Sequence, residues 1–156
     1  MYKVGIIGPE STGKSTLAQY LARRCNGVLI PEYAREYMQH LAPTYDYTYQ
    51  DVENIAKHQV AQLQELHSTM GQEGLVFFDT ELIITKVWFL HKYHSCPDFV
   101  EEALRAYPMD VYLLCYPDIA WEPDPVRENP HLRQYLYDWY EREIQALDIP
   151  YYIVRH

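Results

Sequence analysis

The segment Gly8-Pro9-Glu10-Ser11-Thr12-Gly13-Lys14-Ser15 fits the pattern G-x-x-x-x-G-K-[ST] and stands directly behind the apolar run Tyr2–Ile7. Each part of that pattern has a mechanical task. The glycines let the backbone turn tightly, so that successive N–H groups point at phosphate oxygens. Lys14 reaches the β- and γ-phosphates, and the Ser15 hydroxyl is a ligand for Mg²⁺. A helix that begins near Lys14 aims the positive end of its dipole at the same point. Such a loop works only where a strand runs out into a helix, and this commits the chain to alternating strands and helices.

The rest of the sequence keeps that alternation. Residues 14–25 read as a helix with Leu17, Ala18 and Leu21 on one face, and Val28–Ile30 as a short strand closed by Pro31. A long helix is expected over 48–70, begun by a Thr48-x-x-Asp51 capping box and stopped by Gly71. Its apolar stripe is Val52, Ile55, Ala56, Leu63, Leu66 and Met70. Residues 75–78 form a third strand, 82–90 and 99–107 two helices, and Val111–Cys115 a fourth strand. Asn129 caps a last helix with Pro130 in its first turn. Leu132, Leu136, Trp139, Tyr140 and Leu147 are expected to face inward, and Tyr151–Val154 is a fifth strand. The class is α/β, a five-stranded parallel sheet with helices on both faces, in one domain over 1–156. The proline-dense stretch from Pro117 to Pro130 interrupts the rhythm and reads as a mobile surface loop.

Composition narrows the class further. With 48% hydrophobic residues and 16 Tyr, 4 Phe and 3 Trp in 156 positions, disorder is excluded. The formal net charge of −9 argues against non-specific nucleic-acid binding, which needs Lys and Arg to neutralise phosphates. A local site for an anion is compatible with it. No apolar run approaches the ~18 residues that span a bilayer, and the first strand is too short for a signal peptide. Cys25, Cys96 and Cys115 form no C-x-x-C pair, as expected for reduced thiols in the cytoplasm.

Two further segments carry chemistry. Leu75-Val76-Phe77-Phe78 runs straight into Asp79, the acid that such a loop needs near its metal ion. Asp79 is equally suited to cap the helix that follows, and Glu81 either shares the site or sits in that helix's first turn. Pro31-Glu32-Tyr33-Ala34-Arg35-Glu36 follows the second strand, so in a parallel sheet it emerges on the same edge as the loop. Glu32 is placed to take a proton from an attacking hydroxyl, Tyr33 to stack on a ring, and Arg35 to bind a carboxylate, carbonyl or phosphate. The plainer reading is a helix start with acids in its first turn.

The chain has no N/T-K-x-D guanine motif and is too short for a large motor ATPase. A small domain of this kind, with arginines between its fourth and fifth strands, points to a small-molecule kinase. In that architecture the arginine-bearing loop, here about residues 117–134, is a lid that closes over the phosphates. Arg127 and Arg133 are the candidate phosphate contacts.

GPESTGKST, PEYARE, FFDTE with Thr85-x-x-Trp88 downstream, and PDIAWEPDPVREN together resemble the ribosylnicotinamide kinase domain of NadR-type proteins. The likeness runs from Val4 to the last strand. It implies a P-loop kinase fold and transfer of the ATP γ-phosphate to the 5′-hydroxyl of nicotinamide riboside, with ATP and Mg²⁺ as cofactors. It also implies roles for residues. Gly8, Glu10, Ser11, Thr12, Gly13, Lys14, Ser15 and Thr16 would bind ATP, and Ser15 and Asp79 the metal. Glu32, Tyr33, Arg35 and Asp79 would face the riboside, Trp88 would lie near its pocket, and Arg127 and Arg133 would belong to the lid. Lys14, Glu32, Asp79 and Arg127 would carry the chemistry. Another nucleoside or nucleotide kinase, or an ATP-binding regulatory module without turnover, stands as the alternative.

The sequence departs from the family at Glu81, where a second Asp is usual. It has no H-x-G-H motif of an adenylyltransferase, so no second activity is expected. The family continues beyond Tyr151-Tyr152-Ile153-Val154-Arg155-His156 into a segment that helps to hold adenine, which implies a less enclosed nucleotide site or a trimmed chain. His91-x-x-His94 with Cys96 and Asp98 matches no closed zinc spacing and reads as solvated histidines near a helix end. Tyr45, Tyr47 and Tyr49 form either an aromatic flap over the substrate or an ordinary tyrosine-rich surface segment.

Overall fold

In the computed structural model, which describes residues 1–70, 73–118 and 132–155, every expected strand forms. The strands are β1 (Tyr2–Ile7), β2 (Val28–Ile30), β3 (Leu75–Asp79), β4 (Val111–Cys115) and β5 (Tyr151–Val154). They pair in parallel in the order β2-β3-β1-β4-β5, so the strand that leads into the glycine-rich loop is central. Among the described residues six helices connect them: α1 (Lys14–Arg24), α2 (Tyr33–Gln39), α3 (Tyr49–Thr69), α4 (Leu82–Tyr93), α5 (Asp98–Ala106) and α6 (Arg133–Leu147).

Alternation along the buried strands sends side chains to two cores. Val4, Ile6, Phe77, Val111 and Cys115 point to one face, where Ala18 and Ala22 let α1 approach closely. Ile7, Val76, Phe78, Tyr112 and Leu114 point to the other, against α3, α4, α5 and α6. Tyr112 crosses under Gly5, where a Cβ would stand 2.8 Å from the ring. Burying a side chain such as Phe89 or Ile55, both fully enclosed, stabilises the fold by roughly 1.5–3 kcal/mol.

The expected capping box is present. The Thr48 hydroxyl accepts from the Asp51 N–H, and the Asp51 carboxylate accepts from the Thr48 N–H at 2.8 Å. The same carboxylate accepts from the hydroxyls of Tyr37 (2.7 Å) and Tyr45 (3.0 Å), which ties α2 and the loop before α3 to the start of α3. Tyr47 packs on Trp88, and Tyr49 on Phe89 and Tyr93, so these tyrosines anchor the loop to α4. Lys86 of α4 bridges Glu101 of α5 at 2.6 Å and Glu143 of α6 at 2.7 Å, clamping three helices of that layer.

The segment after β2 follows the plainer reading: it is a helix, α2, with Glu32 as its N-cap residue. Two expectations shift. Asp79 is the last residue of β3, and the cap of α4 is Glu81, whose carboxylate accepts from the Ile83 N–H at 2.8 Å. In α6 the buried residues are Tyr137, Tyr140 and Ile144, while Leu136, Trp139 and Leu147 flank the core half-buried. The helix start expected at Asn129 and Pro130 lies outside the described residues, as do Gly71, Arg127 and most of the stretch expected to be a lid.

At the amino edge of the sheet, Lys3 Nζ lies 2.8 Å from His67 Nε2. Partial desolvation, followed by the Lys3 ammonium, holds the imidazole below its ordinary range, with Asp110 opposing. The unfolded chain takes up this proton at the ordinary imidazole value of about 6.5, whereas the fold resists it. The pair's contribution is therefore present above that value and lost as pH falls through it. Buried Glu81, with its carboxyl pushed up, contributes in the opposite sense over the same range, so the His67 contribution is read by difference. Between pH 7 and 5 the melting temperature of His67→Gln is expected to fall less, or rise more, than that of the wild type. A variant with the wild-type slope would assign the acid sensitivity elsewhere.

Candidate active site

The loop after β1 turns with left-handed backbone at Ser11 (φ 58°) and Gly13 (φ 81°), the latter being the N-cap of α1. Gly8 passes so close to β4 that a Cβ would sit 2.8 Å from the Cys115 carbonyl oxygen and 3.2 Å from Thr12 Oγ1. Only glycine fits there, and the backbone N–H groups stay uncovered by a side chain. Burial pushes the Cys115 thiol up to about 11, so beneath the loop it is an apolar floor.

Inside the loop, Thr12 Oγ1 and Lys14 Nζ both donate to the Pro9 carbonyl, each at 2.8 Å. Lys14 is 3% exposed and folds back over the turn it stems from. Glu10 and Thr12 are buried, Ser15 is half-buried in the first turn of α1, and Thr16 is exposed. Arg133, the first residue of α6, donates from Nη2 to the Ser11 carbonyl at 3.3 Å. One of the two expected lid arginines thus reaches the loop across 122 positions of sequence.

Asp79 arrives beside the loop through strand pairing. It stands opposite Ile6 in the β1–β3 register, is 6% exposed, and is followed by Thr80 in a left-handed turn (φ 71°) whose N–H donates to the Ile6 carbonyl. Such backbone at a strand end stores strain of order 1–3 kcal/mol and is common where a side chain must be aimed.

A shallow, open cleft lies next to this edge, lined by Pro31, Tyr33, Gln59, Gln62, Phe78 and Glu81 among others. Glu32 lies between Pro31 and Tyr33, and its Oε2 is 3.9 Å from Arg35 Nε. The Tyr33 ring stacks on His58 of α3 at 3.5 Å and 8° between planes. Glu81 is fully buried, and burial pushes its carboxyl up to about 7 against the Ile83 N–H and the Tyr112 hydroxyl that donate to it. Trp88 is engaged elsewhere: its Nε1 donates to the Tyr47 hydroxyl at 3.1 Å, and Lys92 Nζ lies 3.6 Å over the Tyr47 ring. Among the described residues no cluster of His, Cys, Asp and Glu is arranged for a metal, the His91–Asp98 segment included. His91 instead meets the rings of Tyr135 and Trp139.

The structure thus gathers the P-loop, Arg133, Asp79, Glu32, Tyr33 and Arg35 on one sheet edge. Sequence reasoning passed over Gln59, Gln62 and Thr80. A signal existed for Gln59, a polar residue on the apolar stripe four positions after Ile55 and four before Leu63.

Comparison with known proteins bears on the family and the fold. A family model, AAA_28, described as an AAA domain, matches residues 3–156. The trifunctional NAD biosynthesis/regulator protein NadR of Escherichia coli (strain K12) is 30% identical over 127 residues, which is 80% of this chain and 30% of that protein. The chain therefore spans less than a third of that relative's length. A crystal structure of NadR protein in complex with NR superposes with a TM-score of 0.79 at 22% identity, covering 97% of this chain and 43% of that one. Deoxyadenosine kinase from M. mycoides, with products bound, gives 0.67 at 14% identity, covering 97% of this chain and 89% of that one. The shared fold is that of P-loop kinases.

Proposed function

On the premise that the chain belongs to the AAA_28 family, we propose that it is an ATP-dependent kinase that phosphorylates the 5′-hydroxyl of nicotinamide riboside. One observation carries this reading. A phosphate-binding loop and a separate cleft with an aromatic wall and two carboxylates nearby share one sheet edge. A pure binding module has no need of the second. The curated relative's part in NAD biosynthesis, and the structure of NadR protein with NR, favour this riboside among nucleosides. Its pyridinium ring is a cation, suited to Tyr33 and Phe78 and to the charge of Glu32, and such contacts contribute ~0.5–2 kcal/mol.

The chain's residues divide the work as follows. The N–H groups of the loop from Gly8 to Ser15 and the Lys14 ammonium hold the phosphates of ATP, and Arg133 adds charge from α6. Arg127, in the segment between β4 and α6, is assigned to the same task. Ser15 and Asp79 are hard oxygen donors that suit Mg²⁺. When bound there, the ion neutralises charge that builds on the phosphate oxygens. Tyr33 and Arg35 position the riboside, with Trp88 supporting the wall through α4. Glu32 takes the proton of the 5′-hydroxyl as its oxygen bonds to the γ-phosphorus. The bond from that phosphorus to the β–γ bridging oxygen breaks, and ADP leaves with the electron pair. The products are nicotinamide mononucleotide and ADP.

An ADP-release assay over a nucleoside panel tests the proposal. Nicotinamide riboside is expected to give the highest kcat/KM among it, uridine, cytidine and adenosine. Equal or better turnover of a neutral nucleoside would make the protein a different nucleoside kinase, and no ADP with any acceptor would make it a regulatory module.

A further inference from the structure

Gln59 occupies the middle of the buried stripe of α3 and is 8% exposed. A primary amide in such a position has one acceptor and two donors to satisfy, and leaving them dry is costly. Its Oε1 accepts from the Thr85 hydroxyl of α4 at 2.7 Å, a buried bond across 26 positions. Thr85 is 2% exposed, so the hydroxyl is confined to this contact region. Among the described residues nothing pairs with the Gln59 amide nitrogen, and that nitrogen is not sealed from solvent. The residue lines the cleft beside Gln62, Tyr33 and Glu81.

We propose that Gln59, its carbonyl pinned by Thr85, turns its amide N–H groups into the cleft and selects nucleosides whose ring carries a carbonyl oxygen at that point. The inference rests on the cleft being the acceptor site. With the Gln59 carbonyl engaged by the Thr85 hydroxyl, the amide has its N–H groups left to offer the cleft. A base with a carbonyl oxygen pairs with the donors. A base with an apolar group there buries them without a partner, and a site built to hydrogen-bond discriminates strongly against such an analogue. Thr85 is a positioning residue.

The test is direct binding to the full chain by titration calorimetry, using two matched pairs. Nicotinamide riboside is compared with 3-methylpyridinium riboside, and inosine with purine riboside, which lacks the 6-oxo group. The wild type is expected to favour the carbonyl member of the tighter pair by about tenfold or more. Gln59→Met should bring that ratio to about one by weakening the carbonyl ligand alone, with AMP-PNP affinity retained as the sign of an intact fold. Thr85→Val should lower the ratio, and Thr85→Ser, which keeps the hydroxyl, should restore it. If Gln59→Met fails to fold, the Thr85 pair decides. A wild-type ratio of one in both pairs, or a ratio unmoved by Gln59→Met or by Thr85→Val, overturns the inference. Tighter binding of the inosine pair would instead count against nicotinamide riboside as the acceptor, while Gln59 is still judged by the ratio.

Discussion

Replacing Lys14 with alanine is expected to lower kcat by about two to three orders of magnitude, the range found when one preorganised donor to a developing charge is removed. The loss follows from where the ammonium is held. Lys14 is the first residue of α1, 3% exposed, with Nζ donating to the Pro9 carbonyl at 2.8 Å. On the proposed function, a cation fixed over the loop in a dry setting would act on the transferring phosphoryl group with little reorganisation. The remaining loop N–H groups and Arg133 still bind phosphate, so ATP affinity should fall less than turnover. The fold should survive. Alanine is the best helix former, and the lost hydrogen bond costs only ~1 kcal/mol. Steady-state kinetics beside a thermal melt check both halves, and unchanged turnover in a folded variant would sink the kinase assignment.

The loop and its lysine were readable because G-x-x-x-x-G-K-[ST] is a local pattern, with each residue's task set by the next few. The capping box at Thr48 and Asp51 is local in the same way, and so is the apolar run that delivers Asp79. The apolar side of α6 was not. Leu136, Trp139 and Tyr140 sit near Tyr135 and Tyr137 in sequence, and aromatic residues around most of the circumference blur the stripe. At about 100° per residue, the buried face through Tyr137, Tyr140 and Ile144 is turned by roughly 80° from the expected one.

Contacts across sequence were the other blind spot. The stack of Tyr33 on His58 joins α2 to α3, and the bond from Thr85 to Gln59 joins α4 to α3. Neither pairing can be read from the periodicity of either helix, although Gln59 itself stands out as a polar residue on the apolar stripe of α3. Glu81 is a case of competition between neighbours: Asp79 and Glu81 both precede α4, and only strand pairing decides between them. Pairing with Ile6 holds Asp79 in β3, and the turn at Thr80 then delivers Glu81 to the helix N–H groups.

The same pairing is the ground on which the proposed function divides the two carboxylates between metal and proton. β3 adjoins the loop-bearing β1, and Asp79 ends it opposite Ile6, two residues before Gly8. Glu32 comes from β2, one strand farther out. Ile30 pairs with Phe78, so Glu32 leaves the sheet beyond Asp79 on the side of the cleft. Its carboxylate is held toward the Arg35 guanidinium at 3.9 Å. Asp79→Asn is therefore expected to lower turnover on the order of a hundredfold and to raise the Mg²⁺ concentration needed for half-maximal rate. Glu32→Gln should lower kcat or acceptor affinity with the Mg²⁺ midpoint unmoved, because phosphoryl transfer takes its proton late and loses less without a base. Magnesium titrations of both variants at saturating ATP separate the two roles. A midpoint that moves in Glu32→Gln and stays put in Asp79→Asn would reverse them, making the acid on the strand beside the loop the proton acceptor and the outer one the metal ligand.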